Sequence, residues 1–438
     1  MRWLKAKSFL GRMDGSVTVF GLYLFLATVA IGALALDIAN AYRINTHLQV
    51  AADSAAHAAL LTRETEDAAA AKSTALSIAK IAMPPERHGD VLRDEDIYFG
   101  YWDAKNESFQ VDSSSSDAVL VDAGRLAERG NRLYTVLLRL FGQTHWDIRR
   151  SSVFETYIPT CFREGVVGED VVEFTSNNLF KEGFCIHSNT FVSFNTGNEF
   201  ETRSIVSMPD RREISIPSDG FAANPGLSDA LRDAAYQLRV LSRVDEIISG
   251  VLDPSSPYFR DWIIPGSIEI ELDPKSKLDD PEFSTQRIHV LYCAREKQRA
   301  KIHAGTDLKD LVIWTNCQLQ IGENVTMDNV AIVNTNTGNA SITGASGIQL
   351  GKDDNCAPGG GVQIVTKGGV AFPQYLKMFG GQIIASGDVS FTSDANGIQG
   401  ASIVSGGRVD GTTDGVMAFC DGSGMEDNFS AVYFKLAY

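Results

Sequence analysis

Cysteine is missing from the first 160 residues of this 438-residue chain, which removes a lipoprotein-type anchor from consideration. Proline is missing until Pro84-Pro85, apart from which nothing forces a helix to stop. No C-x-x-C pair, G-x-S-x-G elbow or complete phosphate loop occurs, and His47, His57, His88, His145, His187, His289 and His303 have no metal-ligand spacing. Zinc binding, elbow-type hydrolysis and nucleotide binding therefore have no motif to rest on, and no cofactor is expected. Basic charge is scarce as well: 39 Lys and Arg against 55 Asp and Glu leave a formal charge of -16. Arg2, Lys5, Lys7 and Arg12 crowd the leading tail against Asp14 alone, so the remainder is more acidic still. That balance argues against nucleic acid or anionic lipid as the main partner.

Charge is absent also between Val17 and Leu36. Twenty residues at 1.5 Å rise cross a hydrocarbon core of roughly 30 Å, so 15-36 reads as a transmembrane helix after a cytoplasmic tail, 1-14. The basic tail keeps the N-terminus cytoplasmic and sends everything after Leu36 out, with the lipid bilayer as a partner. Ala33-Leu34-Ala35 fits a signal-peptidase site, but the apolar run exceeds the roughly 7 to 15 residues of a signal peptide, and a retained anchor is the reading adopted. Helical pattern continues to about Met83, which predicts an extended helix over 37-85 and a rod on the order of 100 Å from the start of the span. Within it, small residues at Ala51, Ala52, Ala55, Ala56 and Ala59 suit close approach of another helix. Asp53 reads as a solvated acid on the opposite face.

All six cysteines, Cys161, Cys185, Cys293, Cys317, Cys356 and Cys420, lie in the exported portion. An even number there predicts three disulfides. Fifteen connectivities are formally open, and nearest-neighbour pairing is the expectation.

Gly15-Ser16-Val17-Thr18-Val19, Asp37, Tyr42, Leu48-Gln49, Ala51-Ala52-Asp53, Ala55-Ala56 and Ala58-Ala59 together resemble the N-terminal signature of the TadE/TadG-like proteins of the tight-adherence (Flp) pilus system, in its TadG-like branch. The resemblance is strongest over 10-62 and weaker to 158, through Phe99-Gly100-Tyr101-Trp102-Asp103, Ala118-Val119-Leu120-Val121 and Leu140-Phe141-Gly142. It implies a minor pilin or an inner-membrane assembly component whose partners are pilus subunits and the inner-membrane secretion platform. Prepilin peptidases of related systems cut after glycine and favour glutamate five residues on. Here those positions hold Phe20 after Gly15 and Ser16 after Gly11, so an uncleaved anchor fits better than a bulk fibre subunit.

Strand signals at Asp96 to Trp102, Ala118 to Val121 and Trp146 to Tyr157, with an amphipathic helix from Asn131 to Phe141, predict a pilin-like α+β domain over 86-158. Residues 159-300 form a mixed region, with apolar periodicity over 227-252 predicting a helix. Five segments starting at Gln318, Ser341, Gln363, Gln382 and Ser402 share an apolar pattern at spacings of 19 to 23 residues. This predicts a parallel β-solenoid over 301-428, followed by a terminal strand at 429-438. The fold class is thus α+β: a long transmembrane helix with a pilin-like neck, then a C-terminal parallel β-helix.

Fragments that look catalytic read more simply as loops. Asp112 to Ser116 has the D-x-S-x-S spacing of a metal-dependent adhesion site but lacks the doubly wound fold around it. Gly347 to Lys352 reads as a solenoid corner. Asp353, Asp354, Asp388, Asp394, Asp410 and Asp414 would be the acids of a solenoid carbohydrate enzyme or a calcium site, yet each occupies a turn where aspartate bonds its own backbone. No catalytic residue and no metal ligand is assigned. The function predicted is a non-enzymatic, membrane-anchored pilus-assembly component, and the competing reading is a free-standing adhesin whose solenoid binds a glycan or another surface.

Overall fold

The computed structural model describes residues 16-412 and 414-438, without the side chains of 16 and 394-396. The tail with Arg2, Lys5, Lys7, Arg12 and Asp14, the glycines Gly11 and Gly15, and the side chain of Asp394 lie outside the described residues. Two compact units emerge, one of residues 1-157 with 433-438 and one of residues 158-432.

In the first unit, α1 (Ser16–Arg63) runs for 48 residues, about 70 Å. The predicted rod stops there. A turn over Glu64 to Glu66 reverses the chain, Asp67 caps the next helix by accepting from the Ala70 N–H at 2.8 Å, and α2 (Ala68–Ala82) packs back on α1. The reversal needs no proline because it buries alanine against alanine. Ala71, Ala75 and Ala79 of α2 share a core with Ala51, Ala52, Ala55, Ala56 and Ala59 of α1, and all are buried.

The same core includes inward residues of a five-stranded antiparallel sheet, ordered β2 (Ser108–Val111), β1 (Ile97–Asp103), β3 (Ala118–Arg125), β6 (Ile148–Tyr157) and the C-terminal strand Tyr433–Leu436. The small hairpin of β4 (Leu133–Tyr134) and β5 (His145–Trp146) lies between β3 and β6 in sequence. The helix expected over Asn131 to Phe141 does not form. Asn131 instead locks the preceding turn, its amide accepting from the Leu126 N–H and donating to the carbonyls of Asp90 and Gly124. Only a 3-10 turn, Leu138–Phe141, remains.

The second unit is a single parallel stack of coils, larger than predicted and threaded in an unexpected order. The coils do not begin at 301. They begin at Gly165, and three of them repeat every 20 residues: Val166, Ile186 and Val206 stack in register, as do Val172 with Val192 and Phe180 with Phe200. Leu231 then pairs with Val206, so the periodic segment 227-252 is no single helix. It breaks into a turn Leu227–Ala230, a strand Leu231–Asp233, a 3-10 turn Arg239–Arg243 and a short helix Val244–Gly250.

From there the chain crosses to the far end of the stack and starts again at Ile270. It then climbs coil by coil through His289, Ile313, Ile332, Ile364 and Ile383 to Ile403. Ile403 pairs with Val166, so the last coil of the ascent lies beneath the first coil of the chain. The solenoid is therefore joined and left at adjacent coils in its middle.

Ile364, Ile383 and Ile403, each the second residue of its repeat segment, occupy equivalent inward sites. The first two repeat segments do not share that face. Leu319 and Ile342 pair with each other and lead to Val370, Val389 and Val409, on the next face round. Along this second face glycines make room for rings: a Cβ on Gly411 would lie 2.7 Å from the Phe174 ring, its partner in register, and one on Gly344 2.3 Å from that of Phe372.

Three disulfides pair nearest neighbours: Cys161 with Cys185, Cys293 with Cys317, and Cys356 with Cys420. The first two join successive coils, whereas the third spans 64 residues and ties the loop before Val362 to the corner after Ala418. Closing a loop of that length restricts the unfolded chain by about 2 to 4 kcal/mol. A Cys356→Ser, Cys420→Ser variant is expected to be cut by protease first within 351-361 and 418-432. Cleavage that begins in α2 or the neck sheet instead would contradict this.

A polar side chain sits in the first inward stack. His289 is completely buried beside Phe283 and accepts from the Ser284 N–H at 3.0 Å. Burial pushes its pKa down from the ordinary 6.5 to about 4, and burial also lowers that of His187. Above pH 6.5 both folded and unfolded chains hold His289 neutral. Between 6.5 and 4 only the unfolded chain takes up the proton, so stability falls as pH falls, by about 3 kcal/mol for this residue. Chemical unfolding at about pH 7 and about pH 4.5 should show a steeper loss in the parent than in His289→Leu; parallel losses would remove His289 as the source.

Candidate functional site

The apolar start of α1 has no protein around most of it. Val17, Phe20, Leu24, Ile31 and Leu34 are exposed, and this is the helix among the described residues that is long and apolar enough to cross a membrane. Where the span ends, its first charge is not in water. The Asp37 carboxylate is buried and accepts three backbone N–H bonds, from Val136 at 2.6 Å, Leu137 at 3.0 Å and Leu138 at 2.7 Å. Burial alone would raise its pKa. The three donors and the nearby Arg139 outweigh that and hold the carboxyl below its usual range.

Nothing in the spacing of Asp37 pointed to this role, which depends on a loop 99 residues away in sequence. The available signal was the apolar run Val136-Leu137-Leu138 with Leu140-Phe141, read above as one face of a helix.

The five alanines predicted to receive another helix are buried in a core that α2 of the same chain shares with the sheet. Asp53 is half-buried at the edge of that face and accepts from Gln49 at 2.8 Å, while Gln49 also reaches the Ser151 carbonyl of β6. The acid thus fixes the approach of helix to sheet and does not lie on an opposite, solvated face.

On the solenoid, the joint between Ile403 and Val166 holds a buried acid. Glu164 is completely buried there and accepts backbone N–H groups from Cys420 and from Gly422, the latter at 3.1 Å. Burial, more than the neighbouring Asp421, raises its pKa. On the adjoining face Arg408 pairs with Glu173, and Asp388 accepts from the Arg408 N–H at 2.8 Å.

Residues 165–421 match the family described as a domain of unknown function, DUF7867, over more than half of the chain. The chain belongs to the DUF7867 family. Residues 15–71 match a second family, described as Flp pilus-assembly TadE/G-like. The first match takes in both arms of the solenoid and the joint between them; the second takes in the span, the alanine face of α1 and the cap of α2. No curated protein matches. The TadE/G-like segment associates this DUF7867 protein with Flp pilus assembly.

Two of the solenoid acids that the sequence offered bond backbone N–H groups at corners. Asp354 accepts from the Ala357 N–H at 2.9 Å, and Asp388 from Arg408. Gly347 and Gly351 adopt left-handed backbone at corners, as expected of 347-352. Asp112 accepts from the hydroxyl and the N–H of Ser114 in the loop between β2 and β3. Among the described residues no group of three or more His, Cys, Asp or Glu is placed to hold a metal ion.

Proposed function

We propose that this protein is a non-enzymatic, single-pass component of Flp pilus assembly, minor pilin-like or at the base of the fibre. It is anchored in the bacterial inner membrane by residues 15-36 with its N-terminus cytoplasmic, and it carries the neck and the DUF7867 solenoid on the periplasmic or extracellular side. The observation that supports this most directly is the continuity of α1. One helix with a TadE/G-like sequence passes from a bare apolar span into a buried alanine core without interruption. Its partners in this reading are pilus subunits and the inner-membrane secretion platform. In this reading those partners engage a surface other than the buried alanines.

The test has two arms. A reporter active only outside the cytoplasm, fused after Tyr42, is expected to be active, and the intact N-terminus is expected by mass spectrometry. Pull-down of the membrane form is expected to recover pilus subunits or platform proteins. Recovery of none, together with glycan binding by the protein, would favour a free-standing adhesin.

A further inference from the structure

The apolar tip of the β4–β5 hairpin is fastened to α1 at the point where the span meets water. Asp37 is the first charged residue after the span, and its carboxylate holds the backbone of Val136, Leu137 and Leu138. The following 3-10 turn, Leu138–Phe141, packs on α1. Ala33, one helical turn toward the membrane and on the same face as Asp37, is completely buried, whereas Leu34 and Leu36 beside it are exposed. Cover over this face of α1 thus extends about 6 Å past Asp37 along the span.

Its own outer side is bare and apolar. Leu140 is 72% exposed, Tyr134 62%, Phe141 51% and Val136 46%. In water such a cluster would be costly, and the helix to which the tip is fastened carries the exposed apolar residues of 17-36. The residues around it have interfacial character: Arg132 lies 5.7 Å from the Tyr134 ring centroid, Arg139 belongs to the turn itself, and Tyr42 projects from α1 just above Asp37. Aromatic rings and long basic side chains of this kind sit at the headgroup level of a bilayer.

We propose that residues 134-141 form an interfacial wedge that seats Val136, Leu140 and Phe141 among the lipids of the leaflet that the helix leaves. A single span leaves a helix free to tilt and rotate, and a second apolar contact fixed to its exit removes that freedom for the neck. The occupant of this surface is lipid. The inference rests on the membrane-anchored reading above, and its test separates the two.

Full-length protein carrying Leu140→Cys, Phe141→Cys or Leu26→Cys, labelled with a polarity-sensitive fluorophore, would be reconstituted in vesicles of phosphatidylethanolamine and phosphatidylglycerol. Glu107→Cys in the β1–β2 turn serves as the aqueous control. The expected result is that probes at 140 and 141 are blue-shifted relative to 107, lose most of their emission to lipids bearing a quencher near the headgroup, and resist iodide. Iodide quenching at 140 and 141 equal to that at 107 overturns the wedge. Protection from both quenchers also overturns it, because protein then covers the tip. If the probe at 26 is itself untouched by lipid-borne quencher, the anchor reading fails; if 26 is quenched and 140 and 141 are not, only the wedge fails.

Discussion

Val166→Asp is expected to open the solenoid at its joint and to destabilise it by on the order of 4 kcal/mol, the scale of an unpaired charge left in an apolar interior. Val166 is buried between Ile403, from the end of the ascent, and Ile186, from the second coil of the chain. These two arms are covalently connected only through distant crossings, so at the joint they are held by ladder hydrogen bonds, side-chain packing and the Glu164 contacts to 420-422. Hydrogen exchange should accelerate first in 165-180 and 402-418 and later in 311-334. Uniform acceleration would mean that the stack melts as one cooperative body, whereas no change would mean that the two arms are not adjacent.

Ala55→Leu is expected to cost the first unit about 2 to 3 kcal/mol, because added methylenes in a filled core force backbone apart. Ala55 is completely buried in the core shared by α1, α2 and the sheet, while Ser54 next to it is exposed. Ser54→Leu is therefore the matched control and should leave stability nearly unchanged. Thermal unfolding of full-length protein in micelles, read by protease resistance of α2, separates the two. If Ala55→Leu is stable but pilus subunits no longer co-purify, the face meets another chain and not α2.

The repeat was legible only in part. Ile364, Ile383 and Ile403 were found because their coils carry the same short pattern at nearly constant spacing, with the strands joined by tight corners. The earlier coils, at 165-208, repeat more strictly, with Val172-x-Phe174 matched by Val192-x-Phe194 and Asn178-x-Phe180 by Asn198-x-Phe200. The buried ladder in which Asn178 donates to Asn198 at 2.7 Å, and Asn224 accepts from the Asn198 N–H, shows what the repeated asparagines do. The segments starting at Gln318 and Ser341 share the pattern of the later three yet lie on another face, because each face of a solenoid presents the same apolar alternation, and pattern alone does not number the faces.

The helix reversal at 64-67 was hidden for a related reason. Thr62 to Asp67 contains neither proline nor glycine, and alanine-rich sequence continues on both sides, so local propensity favours one rod. Burial of Ala71, Ala75 and Ala79 against α1 and the sheet outweighs the hydrogen bonds lost at the turn, and only the folded chain brings those surfaces together.

By itself the sequence determined the apolar span, the TadE/G-like segment, the even number of cysteines beyond residue 160 and the short repeat that runs through Ile364, Ile383 and Ile403, because each follows from local composition or a short period. The tertiary structure decided which partner fills the alanine face, which coils are neighbours, and what Asp37 binds. Each of these depends on contacts between segments tens to hundreds of residues apart, and the order in which the arms of the solenoid meet is set by the packing of Val166 on Ile403, which no local period encodes.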